Sequence, residues 1–122
     1  MKTMIRISLA VNILVLIPIV FGMAIGSPII DRAWGEFSES RGILASIYFA
    51  LLVLSGILIV KTIPVFVVPL LATQVIYKIT TPFTVGTMMN PVVISNLGIA
   101  VLHLVTLYVI YKNHDQLKIR RI

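Results

Sequence analysis

Hydrophobic residues gather into four long blocks, Ile7 to Gly26, Ile43 to Val60, Pro64 to Thr84 and Pro91 to Tyr111, and every charged residue except Lys78 falls outside them. A helix advances ~1.5 Å per residue, so about 20 mostly apolar residues cross a ~30 Å hydrocarbon core. Each block has that reach. The pattern predicts an all-α fold, an integral membrane four-helix bundle with one four-span domain over residues 1–122.

Local chemistry marks the block edges. Pro64 and Pro91 suit a first helical turn, where the missing N–H would have lacked an intrahelical partner, and Asn90 can cap the helix that follows it. Ser40 is expected to cap the second span. Pro18 and Pro69 lie inside spans and predict bends, whereas Pro82 marks a point where the third span is expected to loosen.

The stretch from Ser27 to Ser40 is the longest connection, and in it Ile30, Ala33, Trp34 and Phe37 recur at helical spacing. A short helix lying in the membrane interface fits this pattern. An irregular loop anchored by the single tryptophan fits it equally.

Composition strengthens the membrane reading. Of 122 residues 59% are hydrophobic and 11% charged, against about 25% charged in ordinary soluble domains. A small soluble domain has too much surface to hide such an excess of apolar side chains.

The net charge of +6 would raise nucleic acid as a partner in a soluble protein, but here the charges follow topology and no nucleic acid is expected. Lys2, Arg6, Lys61, Lys112, Lys118, Arg120 and Arg121 fall on one side of the spans. Arg32 and Arg41 fall on the other, among Asp31, Glu36 and Glu39. Basic residues are retained on the cytoplasmic side, so both termini are expected in the cytoplasm, the membrane being the cell's inner one. The tail over 112–122 reads as a basic cytoplasmic segment.

Lys2 and Arg6 ahead of an apolar run ending in Ala24-Ile25-Gly26 also resemble a secretory signal. The run is longer than a signal core and Pro28 stands just past the cut, so an uncleaved span is expected. Cysteine is absent, which removes disulfides, thiolate metal sites and cysteine nucleophiles.

Polar side chains inside the blocks carry the remaining chemistry, because in lipid such groups mark helix contacts or functional paths. They are Asn12, Tyr48, Ser55, Thr73, Gln74, Tyr77, Lys78, Asn96, His103 and Thr106. Arg41, Tyr48 and Ser55 are seven apart, Gln74 and Lys78 four apart, and Asn96 and His103 seven apart, so each set shares a helix face. Counted from the outer ends, Tyr48, Lys78 and Asn96 lie roughly 7–10 Å deep, and Gln74 and His103 roughly 15–18 Å.

Lys78 is the sharpest feature, since an ammonium near the centre of a span costs at least ~2.5 kcal/mol unless paired or hydrated. It reads as an anion or carboxylate site, or structurally as a lysine that snorkels outward or pairs with Glu36 or Glu39. His103 has no second ligand nearby in sequence and reads first as an interhelical hydrogen bond. Ser55-Gly56 and Gly98 with Ala100 are small enough to let helix backbones approach.

Arg41-Gly42 leading to Tyr48, and Gln74-Val75-Ile76-Tyr77-Lys78, resemble the layout of small DoxX-like bacterial inner-membrane proteins over the last three spans. The resemblance implies a four-helix bundle and brings no catalytic residue. Small multidrug antiporters, by contrast, rely on a first-span glutamate, and this first span has no acidic residue.

The expected function is non-catalytic: an accessory subunit, or a small bundle binding a ligand from the outer side. Lys78 would hold a negative group and Tyr48, Gln74 and Asn96 would donate hydrogen bonds, with Tyr77 and His103 completing the polar cluster. A transporter or channel for an anionic or polar solute is the alternative. No Ser–His–Asp set, carboxylate pair or metal-ligand spacing points to an enzyme, and no cofactor is expected. The bilayer is the expected partner, with a homo-oligomer or larger membrane complex left open.

Overall fold

A computed structural model describes residues 1–113, so the expected basic tail lies outside the described residues from 114 onward. Five helices follow in order: α1 (Lys2–Ile25), α2 (Pro28–Trp34), α3 (Glu39–Val60), α4 (Pro64–Val85) and α5 (Pro91–Lys112). The described residues contain no strand, and four of the helices are long and apolar enough to cross a membrane.

Helix α1 begins at Lys2, earlier than the apolar block that starts at Ile7. Its first turn is held by α5: Ile5 and Ser8 are buried, and the Thr106 hydroxyl lies 3.4 Å from the Met4 carbonyl. Gly26 ends α1 in the left-handed conformation, φ 71°, which favours a residue without a Cβ. The chain then folds back so closely that a Cβ on Gly22 would stand 2.6 Å from Ile30 Cγ1.

Between α1 and α3 the chain forms a short helix, α2, with Pro28 in its first turn and Ile30 buried beneath it. It stops at Gly35, so Phe37 does not continue the helical stripe and is 73% exposed. Ser38, not Ser40, caps α3: its hydroxyl accepts from the Arg41 N–H at 3.1 Å, and Ser40 lies inside the first turn. The earlier start follows from Arg41, whose guanidinium pairs with Asp31 and donates to the Gly35 carbonyl at 2.7 Å. Those two bonds draw the residues before Arg41 against α2.

Pro82 does not loosen α4, which runs on to Val85. Threonine hydroxyls around it bond locally, Thr80 and Thr81 to the Tyr77 carbonyl at 2.9 and 2.8 Å and Thr84 to the Thr81 carbonyl at 3.2 Å. Asn90 caps α5 as its position predicts, accepting from the Val92 N–H at 2.7 Å, and its amide also donates to the Ala33 carbonyl at 3.0 Å. One residue thus ties α5 to α2.

The closest packing joins α1 to α3 and α4 to α5, and α1 also meets α5. Short connections predict adjacent spans as close neighbours, yet α3 and α4 touch sparingly across the 61–63 link. Near α2 the space between them holds Leu44, Tyr48 and Tyr77. Gly56 and Gly98 do not mediate close approach either, since a Cβ on either meets nothing within 4 Å. Of the four small residues, Ser55 and Ala100 are the two at buried positions.

The bundle buries several polar side chains within its apolar core and exposes large apolar ones on its outer faces. Leu14 and Phe83 are 73% and 83% exposed, while Ser8, Asn12, Ser55, Gln74, His103 and Thr106 are buried. Charged residues separate by end: Lys2, Arg6, Lys61 and Lys112 lie at one, and Asp31, Arg32, Glu36, Glu39 and Arg41 at the α2 end.

Candidate functional site

Antiparallel neighbours bring residues of distant sequence number to one level, and the buried polar side chains stack in layers along the bundle. Lowest, toward the Lys2 end, Ser8 and Thr106 share a hydrogen bond of 2.5 Å between α1 and α5. Above them the Asn12 amide donates to Ser55 Oγ at 3.2 Å, and its carbonyl oxygen lies 2.9 Å from His103 Nε2. An amide oxygen only accepts, so that nitrogen carries the proton. His103 Nδ1 is buried without a partner.

One level higher, Lys78 Nζ on α4 donates to Asn96 Oδ1 on α5 at 3.1 Å. The Asn96 amide donates to Thr81 Oγ1 at 3.2 Å. Lys78 is 6% exposed and lies 5.0 Å from the Tyr77 ring centroid. It neither snorkels nor pairs with Glu36 or Glu39, for Arg41–Asp31 is the only ion pair among the described residues. The Tyr77 hydroxyl is buried without a partner. Gln74 lies under this level, its amide reaching the Leu70 carbonyl only at 3.5 Å.

These side chains surround a chamber of about 20 Å³ whose walls include Tyr48, Gln74, Tyr77, Lys78 and Asn96, with Asn12 below and Trp34 above. That is room for about one water molecule. Five of the six cluster residues expected from sequence therefore meet, while His103 belongs to the layer below. Thr73, the other polar residue expected inside, is exposed.

Toward α2 the chamber meets a vestibule of about 590 Å³, and Trp34, Tyr48, Tyr77 and Asn96 line both. Between the two spaces the Trp34 indole N–H donates to the Tyr48 hydroxyl at 3.3 Å. The tryptophan that sequence reading treats as an interfacial anchor is thus part of the chamber wall. Thr81 was also missed as a chamber partner, although Gln74, Lys78 and Thr81 share one helix face.

Donors dominate this chamber. An ammonium has three N–H bonds, a carboxamide two and each tyrosine hydroxyl one, and the described acceptors take few of them. Such a site is complementary to a small anion or a carbonyl-type acceptor. No group of three or more His, Cys, Asp or Glu placed to hold a metal occurs among the described residues. No protein-family model, curated protein or solved structure matches the chain.

Proposed function

We infer that this protein crosses the inner membrane four times through α1, α3, α4 and α5, with both termini cytoplasmic, and binds a small anionic group from the outer side without catalysing its conversion. The apolar outer faces of these helices support insertion in lipid. The cluster of Lys2, Arg6, Lys61 and Lys112 at one end supports the orientation, which places α2 in the outer interface. Four long apolar helices are compatible with the DoxX-like layout that the sequence resembles, and with an accessory role in a larger membrane complex.

One observation carries the ligand reading: the Lys78 ammonium is buried in the small chamber, which shares Trp34, Tyr48, Tyr77 and Asn96 with the vestibule, and has an amide oxygen, and no carboxylate, as its described partner. A buried cation without a counter-charge is costly, and an incoming anion that pairs with it offsets part of that cost. Transport or channel activity is the second reading, favoured by the polar layers that continue below the chamber. Its weight is reduced by the direct bonds Asn12–Ser55, Asn12–His103 and Ser8–Thr106, which close the lower half side chain to side chain.

Trp34 is the only tryptophan in the chain and stands at the chamber, so its fluorescence reports occupancy. Trichloroacetate quenches indole, and with its carboxylate at Lys78 and its trichloromethyl group on the vestibule side it should quench the purified protein with a saturable component. Lys78→Met should weaken that component by about 10-fold or more, the loss of a charge-assisted hydrogen bond, while Lys78→Arg retains most of it. Equal saturable quenching of the parent and Lys78→Met would remove the anion site.

A further inference from the structure

Beyond the vestibule, the chamber has a second neighbour on its α1–α5 side. A groove of about 220 Å³ runs beneath α2, walled by Val15, Ile19, Ile29, Val92 and Ile99 with little polar lining. Val15, Ile19, Trp34, Asn96 and Ile99 line both groove and chamber. Ile29 and Ser95 at its margin are exposed, so the groove opens on the outer face of the helices.

The donors of the chamber and the apolar groove therefore meet at a common wall. Building on the anion reading above, we propose that the ligand is a single-chain amphiphilic carboxylate, a long-chain fatty acid. Its carboxylate takes the Lys78 ammonium and its hydrocarbon chain leaves through the groove between α1 and α5 into the surrounding lipid.

Charge complementarity selects the head: Lys78 offers a buried positive charge whose described partner is the neutral Asn96 amide. Size restricts it further. About 20 Å³ beside Lys78 suits a carboxylate that displaces a water, whereas a glycerophosphate head with two chains exceeds it. The groove accounts for the tail. It gives a hydrocarbon chain an apolar path from the Lys78 level to the surrounding lipid, whereas a wholly polar anion would make no use of it.

The test uses the full chain in nanodiscs of unbrominated lipid and stearate dibrominated at mid-chain, which quenches indole on close approach. The parent should show saturable quenching of Trp34 that unlabelled oleate reverses. The methyl ester of the same chain, lacking the negative charge, should give only the linear quenching of a lipid-dissolved molecule. Lys78→Met should weaken the saturable component by about 10-fold or more. Ser95→Phe, which narrows the groove from α5, should weaken stearate binding and leave trichloroacetate binding unchanged.

Equal quenching by acid and ester overturns the fatty-acid assignment, and that comparison needs no variant to fold. If trichloroacetate then still binds in a Lys78-dependent way, the anion site stands and only the chain-binding groove falls. If neither acid shows a saturable component, both readings fall together.

Discussion

Lys78 Nζ and Asn96 Oδ1 lie 3.1 Å apart, an ammonium and a neutral amide oxygen bridging α4 and α5 at a buried level of the bundle. Replacing Asn96 by Ala takes away this acceptor and the donor to Thr81, and should lower stability by about 1–3 kcal/mol. Asn96→Asp should have a different signature. A carboxylate fixed beside the ammonium supplies the anion internally, so trichloroacetate quenching of Trp34 should lose its saturable component while the helix content measured by circular dichroism stays at the parent level. Retained anion affinity in Asn96→Asp would sink the view that Lys78 is the docking charge.

The approach of α2 to α1 has its own test. With a Cβ at Gly22 only 2.6 Å from Ile30 Cγ1, Gly22→Ala forces Ile30 aside, at about 1–3 kcal/mol for overpacking. Because Trp34 ends α2, its emission should shift to the red as the helix lifts. Adding Ile30→Ala makes room for the methyl group, so the double variant should cost less than the sum of its parts in thermal unfolding. Strict additivity would show that the two residues do not press on one another.

Asn12 joins three helices by bonding Ser55 on α3 and His103 on α5. Interhelical polar pairs of this kind couple by about 0.6 kcal/mol and at most ~1.7 kcal/mol in measured membrane bundles. A double-mutant cycle with Asn12→Leu and His103→Leu should return a coupling in that range. A value indistinguishable from zero would mean that the bond adds nothing to the bundle.

Orientation is open to direct measurement because the chain has no cysteine of its own. With Glu36→Cys, an impermeant maleimide added to intact cells should label the protein. With Lys61→Cys, labelling should require permeabilised cells. The reverse result would invert the arrangement inferred from the basic residues.

The long helices were legible because their apolar blocks are unbroken and the prolines at 64 and 91 mark their starts. Ser38 was less legible than Ser40, since either serine can cap and the choice is made by Arg41 binding Asp31 and Gly35 across the turn. Counting from the outer ends put Tyr48, Lys78 and Asn96 at one depth, face periodicity set Gln74 on the same face as Lys78, and the structure gathers the four around one chamber. Depth counting set His103 lower, but it could not show that Asn12 on α1 takes this histidine out of the cluster, because that depends on how α1 packs between α3 and α5. Trp34 in the chamber wall depends likewise on the fold-back at Gly22, a contact between residues that carry no polar signal.

The sparse meeting of α3 with α4 bears on how the chain is made. The tightest contacts lie within residues 2–60 and within residues 64–112, so each half satisfies its own strongest packing as an unbroken length of polypeptide. A ribosome delivering the first half releases a hairpin able to settle before the second exists, and few distant contacts wait on the end of synthesis. Ser8 and Asn12, reaching Thr106 and His103, then act as latches closed only when the last helix arrives.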